Sequence, residues 1–344
     1  MRKIAKNNRF CWNNFWRGYV YLLIALFCAG ASSSVQALTL GLKKNPLERL
    51  DKQTLLYAVH SGTELYMDCY RDPEVKIEKE SPVLLYSFGG GWEIGSREDQ
   101  MARAFFDYFA SRGYLICSID YRLYMKEFKS QKQNTNWVEA IPTAIEKGTE
   151  DLYAATAYLI EHEKELGCDS DKIILAGSSA GAINSLHAVY WQCSKTDLAK
   201  QYLPLRFKYA GLISMAGALW LEGKETALDW KHKPCPILFF HGEKDQLVPY
   251  DEQHEIWSVY GPKYLFNQLR EMESPVWFYD FEEGDHLLAV YPMTAYLAEM
   301  EIFCRSLVME KKKRYIHTRE KTARPIQFKS SFFLDWNPPE KKID

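Results

Sequence analysis

The sequence predicts an α/β architecture, in which a mostly parallel central sheet carries helices on both faces. Short apolar runs alternate with longer amphipathic runs from about residue 53 onward. Two of the short runs, residues 83–88 and 172–177, are almost continuously apolar, as strands buried on both faces are. Glycines and polar residues follow several of these runs directly. Loops at the carboxyl ends of parallel strands build the functional sites of such folds.

The order of the elements supports this fold class, because strands that alternate with helices pair into a parallel sheet through right-handed crossovers. The predicted strands are short apolar runs and cover residues 55–60, 64–70, 82–88, 114–119, 172–177, 209–215, 236–241 and 276–281. The predicted helices have apolar residues at helical spacing and cover residues 99–112, 151–166, 180–190, 252–260 and 287–310. Residues 124–146 are polar and irregular and are predicted to be a surface insertion.

The composition limits the function classes. Apolar residues make up 47% of the 344 residues, enough for a large core, and the formal net charge of −2 gives no reason to expect nucleic acid as a partner. Six of the eight cysteines lie beyond residue 37, and none of them forms a C-x-x-C pair. We therefore expect no metal and no cofactor, and the disulfide pairing stays open.

The N-terminus has the order of a secretory signal peptide. A basic lead precedes an apolar run over residues 20–29, and small residues then lead to Val35-Gln36-Ala37. The run is shorter than the roughly 20 residues of a membrane span. We expect a cleaved signal over residues 1–37 and an exported domain over residues 38–310 without a stable membrane span. An uncleaved signal anchor is the alternative. Residues 311–344 are predicted to be a loosely packed C-terminal extension.

The strongest chemical signal is the segment Gly177-Ser178-Ser179-Ala180-Gly181 between a predicted strand and a predicted helix. It matches G-x-S-x-G in the strand–turn–helix context of a nucleophile elbow, so Ser179 is the candidate nucleophile. The alternative is that Ser179 only caps the helix. Ser178 fails the spacing, because the residues two positions away from it are alanines.

A glycine run follows the predicted strand that ends at Phe88. The residues after it are Gly89, Gly90, Gly91 and Trp92. Glycines expose backbone N–H groups without side-chain hindrance, and such groups stabilise the oxyanion of a tetrahedral intermediate. We predict an oxyanion hole made by the N–H groups of Gly90, Gly91 and Ala180. An ordinary flexible loop is the alternative.

The candidate acid and base also follow predicted strands. Asp245 lies after residues 236–241, and His286 lies after residues 276–281. Their order after Ser179 is nucleophile, acid, histidine, as a serine triad on this kind of sheet requires. Other carboxylates and imidazoles nearby remain rivals: Glu243, Asp251 and Asp285 as the acid, and His241 and His254 as the base. His241 is expected to be a structural hydrogen-bonding residue.

Taken together, these segments resemble the α/β-hydrolase fold and its hormone-sensitive-lipase-like carboxylesterases over residues 53–305. The similar segments are Phe88-Gly-Gly-Gly-Trp92, Asp120-Tyr-Arg-Leu123, the elbow, the stretch from His241 to Pro249, and Gly284-Asp-His286. Phe88 departs from the family, which usually has histidine there. The early strand 65–70 is similar to the branch of acetyl-xylan and feruloyl esterases. Asp120 and Arg122 are expected to have a structural role, since the family carries them whatever the substrate.

The resemblance implies a serine carboxylesterase with a Ser-His-Asp triad, and together with the signal for export it leads us to expect short acyl esters, of a small molecule or an acetylated glycan, as substrates. Two alternatives stay open. A peptidase of the prolyl-oligopeptidase type shares the triad order, but its large N-terminal propeller is not expected before residue 53. A catalytically inactive binding module on the same fold would need a misplaced Asp245 or His286.

Overall fold

The computed structural model describes residues 49–324, apart from residues 77–78, 132–136, 224–226 and 255–256. Its strands are β1 Asp51–His60, β2 Thr63–Arg71, β3 Ser81–Ser87, β4 Leu115–Ile119, β5 Cys168–Ser178, β6 Gly211–Met215, β7 Leu219–Glu222, β8 Ile237–Gly242, β9 Glu252–His254, β10 Trp257–Tyr260, β11 Val276–Phe281 and β12 Tyr315–Glu320. Its α-helices are α1 Arg103–Ala110, α2 Tyr124–Gln131, α3 Ile141–Glu161, α4 Glu163–Leu166, α5 Ala180–Ser194, α6 Asp197–Tyr202, α7 Pro262–Glu271, α8 Pro292–Ala295 and α9 Leu297–Phe303. Three 3₁₀ helices and one π-helical segment complete these elements: Gln100–Ala102, Trp137–Ala140, His286–Ala289 and Cys304–Met309.

One nine-stranded sheet organises the fold, in the order β1-β2-β4-β3-β5-β6-β8-β11-β12. The pairs β1–β2 and β2–β4 are antiparallel, and every later pair of this sheet is parallel. The predicted α/β class with a mostly parallel sheet is therefore confirmed. A second, three-stranded antiparallel sheet has the order β7-β10-β9.

Two apolar clusters cover the faces of the large sheet. Side chains alternate along β3, so Leu84 and Tyr86 belong to one cluster while Val83 and Leu85 belong to the other. The first cluster includes the phenylalanines of α1, and the second takes in apolar side chains of α3, α5 and α7. Burial on both faces explains the nearly continuous apolar runs of the central strands.

The helix predicted over residues 252–260 is wrong, because this segment forms β9 and β10. Trp257, Val259 and Tyr260 are aromatic or β-branched residues, which favour strands. The helix begins instead with Pro262 at its first position, where the missing N–H of proline costs nothing.

Other helix boundaries also differ from the prediction. The predicted irregular insertion 124–146 contains α2 and the start of α3, with Met125 buried against the core. The helix predicted over residues 287–310 is divided into short segments. Pro292 begins one of them, since proline cannot continue the preceding turn.

The predicted C-terminal extension contributes a strand to the sheet. β12 pairs in parallel with β11, and the Trp277 indole donates to Thr318 Oγ1 at 3.0 Å. The Tyr296 hydroxyl donates to Glu320 Oε2 at 2.6 Å. Residues 315–320 are thus part of the sheet and are not loosely packed.

The predicted signal peptide, residues 1–37, lies outside the described residues, as do residues 325–344. Among the residues that are described, no helix is both long and apolar enough to cross a membrane.

The described cysteines are free thiols. Cys69 and Cys117 face each other across β2 and β4, and their sulfur atoms are 3.2 Å apart. Burial, followed by the contact with Cys69, raises the pKa of the Cys117 thiol well above its usual range. This thiol is therefore protonated at neutral pH.

Ending the chain after Glu310 should destabilise the fold, whereas ending it after Arg324 keeps β12 and should not. Without β12, the buried Asp280 carboxylate loses His317 at 3.0 Å and Arg319 at 3.3 Å. The loss of these partners, together with the backbone hydrogen bonds between β11 and β12, lowers the free energy of unfolding. Urea unfolding followed by circular dichroism measures the difference, and equal midpoints for the two truncations would contradict it.

Candidate active site

Ser179 lies in a sharp turn between β5 and α5. Its backbone has φ 50° and ψ −118°, a conformation that a residue with a side chain adopts only when its surroundings enforce it. A Cβ atom on Gly181 would lie 2.0 Å from the Ser87 carbonyl oxygen, and one on Gly177 would lie 2.4 Å from that of Gly181. The two glycines therefore permit the close approach that forms the turn. The Ser179 N–H also donates to the Met215 carbonyl at 2.8 Å.

A chain of hydrogen bonds joins the three residues that the sequence singled out. Ser179 Oγ lies 2.8 Å from His286 Nε2, and His286 Nδ1 lies 2.8 Å from Asp245 Oδ2. The second carboxylate oxygen, Oδ1, accepts the N–H groups of Leu247 at 2.9 Å and Val248 at 3.0 Å. The structure thus brings Ser179, His286 and Asp245 together in the order that the sequence indicated.

Two neighbouring strands position the acid and the base. β8 precedes Asp245, β11 precedes His286, and these strands pair in parallel, so their carboxyl ends lie at one edge of the sheet. A Cβ atom on Gly242 would lie 2.1 Å from the Gly284 carbonyl oxygen. The Lys244 N–H donates to that same oxygen at 2.9 Å. The two loops are therefore packed directly against each other.

The environment of Asp245 favours its ionised form. Burial by itself raises the pKa of this carboxyl, but the His286 and His241 imidazoles and the Val248 N–H outweigh burial and hold the pKa below its usual range. The ionised carboxylate accepts, at Oδ2, a hydrogen bond from the protonated Nδ1 of His286. This leaves Nε2 as the acceptor that faces the Ser179 hydroxyl.

His241 stands behind the acid and does not take the place of the base. It is fully buried, and its Nε2 lies 3.0 Å from the Val248 carbonyl and 3.4 Å from Asp245 Oδ2. Burial lowers the pKa of His241, against the opposing effect of the Asp245 charge. A neutral imidazole that donates from Nε2 supports the acid loop, in agreement with its expected structural role.

The rival residues have other partners. Glu243 pairs with Arg319 at 2.8 Å, and Asp251 pairs with Lys263 at 2.8 Å. The Asp285 carboxylate accepts the Leu287 N–H at 3.0 Å at the start of the 3₁₀ helix. The other rival base, His254, lies near Glu252 and Ser258.

The glycine run lies beside the turn that carries Ser179. A Cβ atom on Gly89 would lie 3.3 Å from the Ser179 Cβ, which places this backbone next to the hydroxyl-bearing residue. Gly90 and Gly91 both have positive φ, 119° and 62°, a region that glycine enters without strain. Trp92 follows them, also at positive φ, 56°.

Phe88, which replaces the histidine usual in the resembling family, is held by Tyr121. The two rings stack with centroids 4.3 Å apart, and the Tyr121 hydroxyl donates to the Phe88 carbonyl at 3.0 Å. Stacking and one hydrogen bond therefore anchor the residue from which the glycine run starts.

Comparisons with known proteins show what this chain is similar to. The family model BD-FAE matches residues 67–206. Gut esterase 1 of Caenorhabditis briggsae is 35% identical over 31% of this chain and 18% of its own length. For Carboxylesterase NlhH of Mycobacterium tuberculosis the identity is 30%, over 40% of this chain and 36% of that protein. The chain thus spans well under half the length of these curated relatives.

Solved structures extend the likeness over about three quarters of the chain. Esterase 2 of Thermogutta terrifontis covers 77% of this chain and 97% of its own, with a TM-score of 0.55 and 19% sequence identity. A propionate-bound structure of that esterase gives a TM-score of 0.55 at 20% identity. This likeness shows that the chain has the α/β-hydrolase fold. At this level of identity the structural likeness establishes the fold, and the activity is argued separately below.

Asp120 and Arg122 belong to ion-pair networks. Asp120 pairs with Arg97, whose backbone N–H also donates to its carboxylate at 3.1 Å. Arg122 donates from Nε to Asp151 at 2.9 Å and pairs with Glu150. Both contacts agree with the structural role that was expected for these two residues.

One cluster in the described part of the chain has the residue types of a metal site. His60, Glu150 and Asp151 offer ligand atoms within 4.8 Å of one another. His60 Nδ1, however, lies 2.7 Å from Asp151 Oδ1, and Arg122 bonds both carboxylates. A guanidinium between the two acids compensates their charge, so the cluster fits an ion-pair network better than a cation site.

The sequence analysis named Trp92 only as the residue that follows the glycine run, and it did not name Asn184. Trp92 donates its indole N–H to Asn184 Oδ1 at 2.9 Å. Asn184 is fully buried on α5, the helix that begins after Ser179. No sequence pattern singles out Asn184, because Ser185 and His187 of the same helix are also buried polar residues and the partner of Asn184 lies 92 positions away in the chain.

Proposed function

We propose that the protein is a serine carboxylic-ester hydrolase in which Ser179 is the nucleophile, His286 the base and Asp245 the acid. The observation that carries this proposal is the continuous hydrogen-bond chain, 2.8 Å from Ser179 Oγ to His286 Nε2 and 2.8 Å from His286 Nδ1 to Asp245 Oδ2. The names of the curated relatives, which are esterases, support the same reaction class.

The reaction begins when Ser179 Oγ attacks the ester carbonyl while His286 Nε2 accepts the hydroxyl proton. The ionised Asp245 holds the imidazole in the tautomer that can accept and stabilises the imidazolium that forms. His286 then gives the proton to the leaving alcohol, and an acyl-enzyme remains. Water repeats the sequence on the acyl group and regenerates Ser179.

The N–H groups of Gly90, Gly91 and Ala180 are the proposed oxyanion donors. Their support is the position of the glycine run beside Ser179 and the place of Ala180 at the first position of α5. Positive potential at a helix N-terminus also favours a developing anion there. Each such donor is worth about 3 kcal/mol of transition-state stabilisation.

We further propose that the substrates carry short acyl groups, on a small alcohol or an acetylated glycan. Residues 124–146 are poor in long apolar runs, so their sequence does not suggest the apolar lid of a lipase. Structures of Thermogutta terrifontis esterase 2 hold propionate or butyrate. Acids of this size match a short acyl site.

Export is part of the proposal. Its support is the basic lead, the apolar run 20–29 and the small residues before Leu38.

Replacing Ser179 with alanine should abolish turnover of aryl acetates, because it removes the hydroxyl that faces His286 Nε2 and forms the acyl-enzyme. The fold should be retained. Labelling of the protein with a fluorophosphonate probe should disappear in the same variant. Ser194→Ala is the matched control, since this serine ends α5 and bonds the Asp229 carbonyl at 2.7 Å. A labelled Ser179→Ala protein would refute the assignment, and a folded but unlabelled wild type would favour the binding-module alternative.

The specificity constant should be highest for acetyl to butyryl aryl esters and should fall by roughly tenfold or more for decanoyl esters, since chain length in a small site is discriminated strongly. Initial rates over a series of p-nitrophenyl esters measure this profile. A rise towards long chains would contradict the short-acyl proposal without affecting the triad.

Mass spectrometry of the mature protein from its own cells should find an N-terminus at Leu38, because signal peptidase cleaves after the small residue of such a segment. A replacement of Ala37 by a bulky residue, Ala37→Trp, serves as the control and should block processing. An intact N-terminus beginning at residue 1 would refute cleavage.

A further inference from the structure

We propose that Asn184 is a positioning residue, which acts through Trp92 to hold the N–H groups of Gly90 and Gly91 against the oxyanion. The inference rests on the proposed ester hydrolysis and adds a residue to it that the triad and the three oxyanion donors do not include. The proposal is supported by the strained backbone of the loop, by the contacts that hold Trp92 and by the packing around Asn184.

The glycine run ends in a conformation that needs support. Gly90, Gly91 and Trp92 have φ angles of 119°, 62° and 56° in succession. Glycine tolerates positive φ, but a residue with a bulky side chain does so only under constraint from its surroundings. The conformation of Trp92 therefore has to be held by contacts elsewhere in the fold.

Two directional contacts hold Trp92. Its indole N–H donates to Asn184 Oδ1 at 2.9 Å, and its backbone carbonyl accepts the Met125 N–H at 3.0 Å. The indole is almost fully buried in the larger apolar cluster. Just before it, the Gly90 carbonyl accepts the N–H groups of Glu93 and Ile94, each at 3.1 Å. These bonds turn the chain at Gly90 and Gly91.

Asn184 itself has no freedom to move. A Cβ atom on Gly148 of α3 would lie 2.5 Å from Asn184 Nδ2, so α3 packs directly on the amide. An indole N–H can only donate, which requires that Oδ1 faces Trp92. The Nδ2 group is buried without a hydrogen-bond partner. A buried amide with an unpartnered donor lowers stability, so this position favours an apolar residue unless the bond to Trp92 has another role.

That role follows from the helix on which Asn184 lies. α5 begins at Ala180, whose N–H is the third proposed donor, and Asn184 lies about one turn further along the same helix. The bond to Trp92 therefore connects the loop donors to the element that carries the helix donor. The spacing between Gly91 and Ala180 is fixed by this connection.

The expected effect of losing the bond is specific. The loop would still be present, so the ester would bind as before, but its N–H groups would no longer lie where negative charge develops. Interactions made in the transition state alone affect kcat and leave KM unchanged. A merely structural role would lower stability and leave kcat per folded molecule as it is.

The test compares Asn184→Leu, Asn184→Asp and Trp92→Phe with wild type. Leucine removes the acceptor at similar volume, aspartate keeps an acceptor oxygen, and phenylalanine removes the donor. Trp230→Phe is the matched control, because this indole donates to Gln268 Oε1 at 3.1 Å on the distant helix α7. The measurements are kcat and KM with p-nitrophenyl acetate, and the inhibition constant of a trifluoromethyl ketone that forms a tetrahedral adduct with a serine.

Asn184→Leu and Trp92→Phe should each lower kcat by about 10- to 100-fold. This decrease is no larger than the decrease caused by removing one oxyanion donor. Ketone affinity should fall in parallel while KM stays within about twofold, since ground-state binding is untouched. Asn184→Asp should retain most of the activity, and Trp230→Phe should match wild type. The double variant Trp92→Phe/Asn184→Leu should lose no more than either single variant, because both remove one shared bond.

Unchanged kcat and ketone affinity in folded Asn184→Leu and Trp92→Phe would overturn the proposal and leave the triad assignment intact. Additive losses in the double variant would also overturn it, because the two residues would then act separately. An inert wild type that fluorophosphonate does not label would instead refute the proposed ester hydrolysis itself. If one single variant fails to fold, the other tests the same bond from its opposite side.

Discussion

The close approach of α5 to the end of β3 is the constraint on which the arrangement of the site depends. Gly181 has no side chain, and only for that reason can its Cα lie against the carbonyl oxygens of Ser87 and Phe88. This contact places the start of α5 beside the start of the glycine run. Ser179 is thereby held in the strained turn above the sheet. Its hydroxyl faces the loops that follow β8 and β11.

The geometry of the sheet also positions Asp245 and His286. Parallel pairing of β8 with β11 puts the loops of Asp245 and His286 side by side, and the tight packing of Gly242 on Gly284 holds them there. The acid is buried and yet ionised because two imidazoles and backbone N–H groups outweigh the cost of burial. His241 completes this environment from behind, as a neutral donor to the loop that ends at Val248.

The sequence predicted those parts of the site that depend on local patterns. Ser179, Asp245 and His286 each follow a buried strand, and the carboxyl ends of parallel strands converge whatever the details of the helices. What it could not predict are pairings between distant segments. The sequence predicts a helix over residues 252–260, because a short amphipathic run fits the helical period as well as the strand period. The pairing of β10 with β7 shows that the segment is extended instead. No local sequence pattern predicts the hydrogen bond between Trp92 and Asn184.

The final strand has a consequence for the timing of folding. β12 comes from the last described part of the chain, and β11, which leads into His286, has β12 as its outer neighbour in the sheet. During synthesis the outer edge of β11 stays open until residues 315–320 leave the ribosome. Contacts that are distant along the chain form late. The strand that leads into His286 thus acquires its outer neighbour only after residues 315–320 have been synthesised, when the strands before them can already be paired.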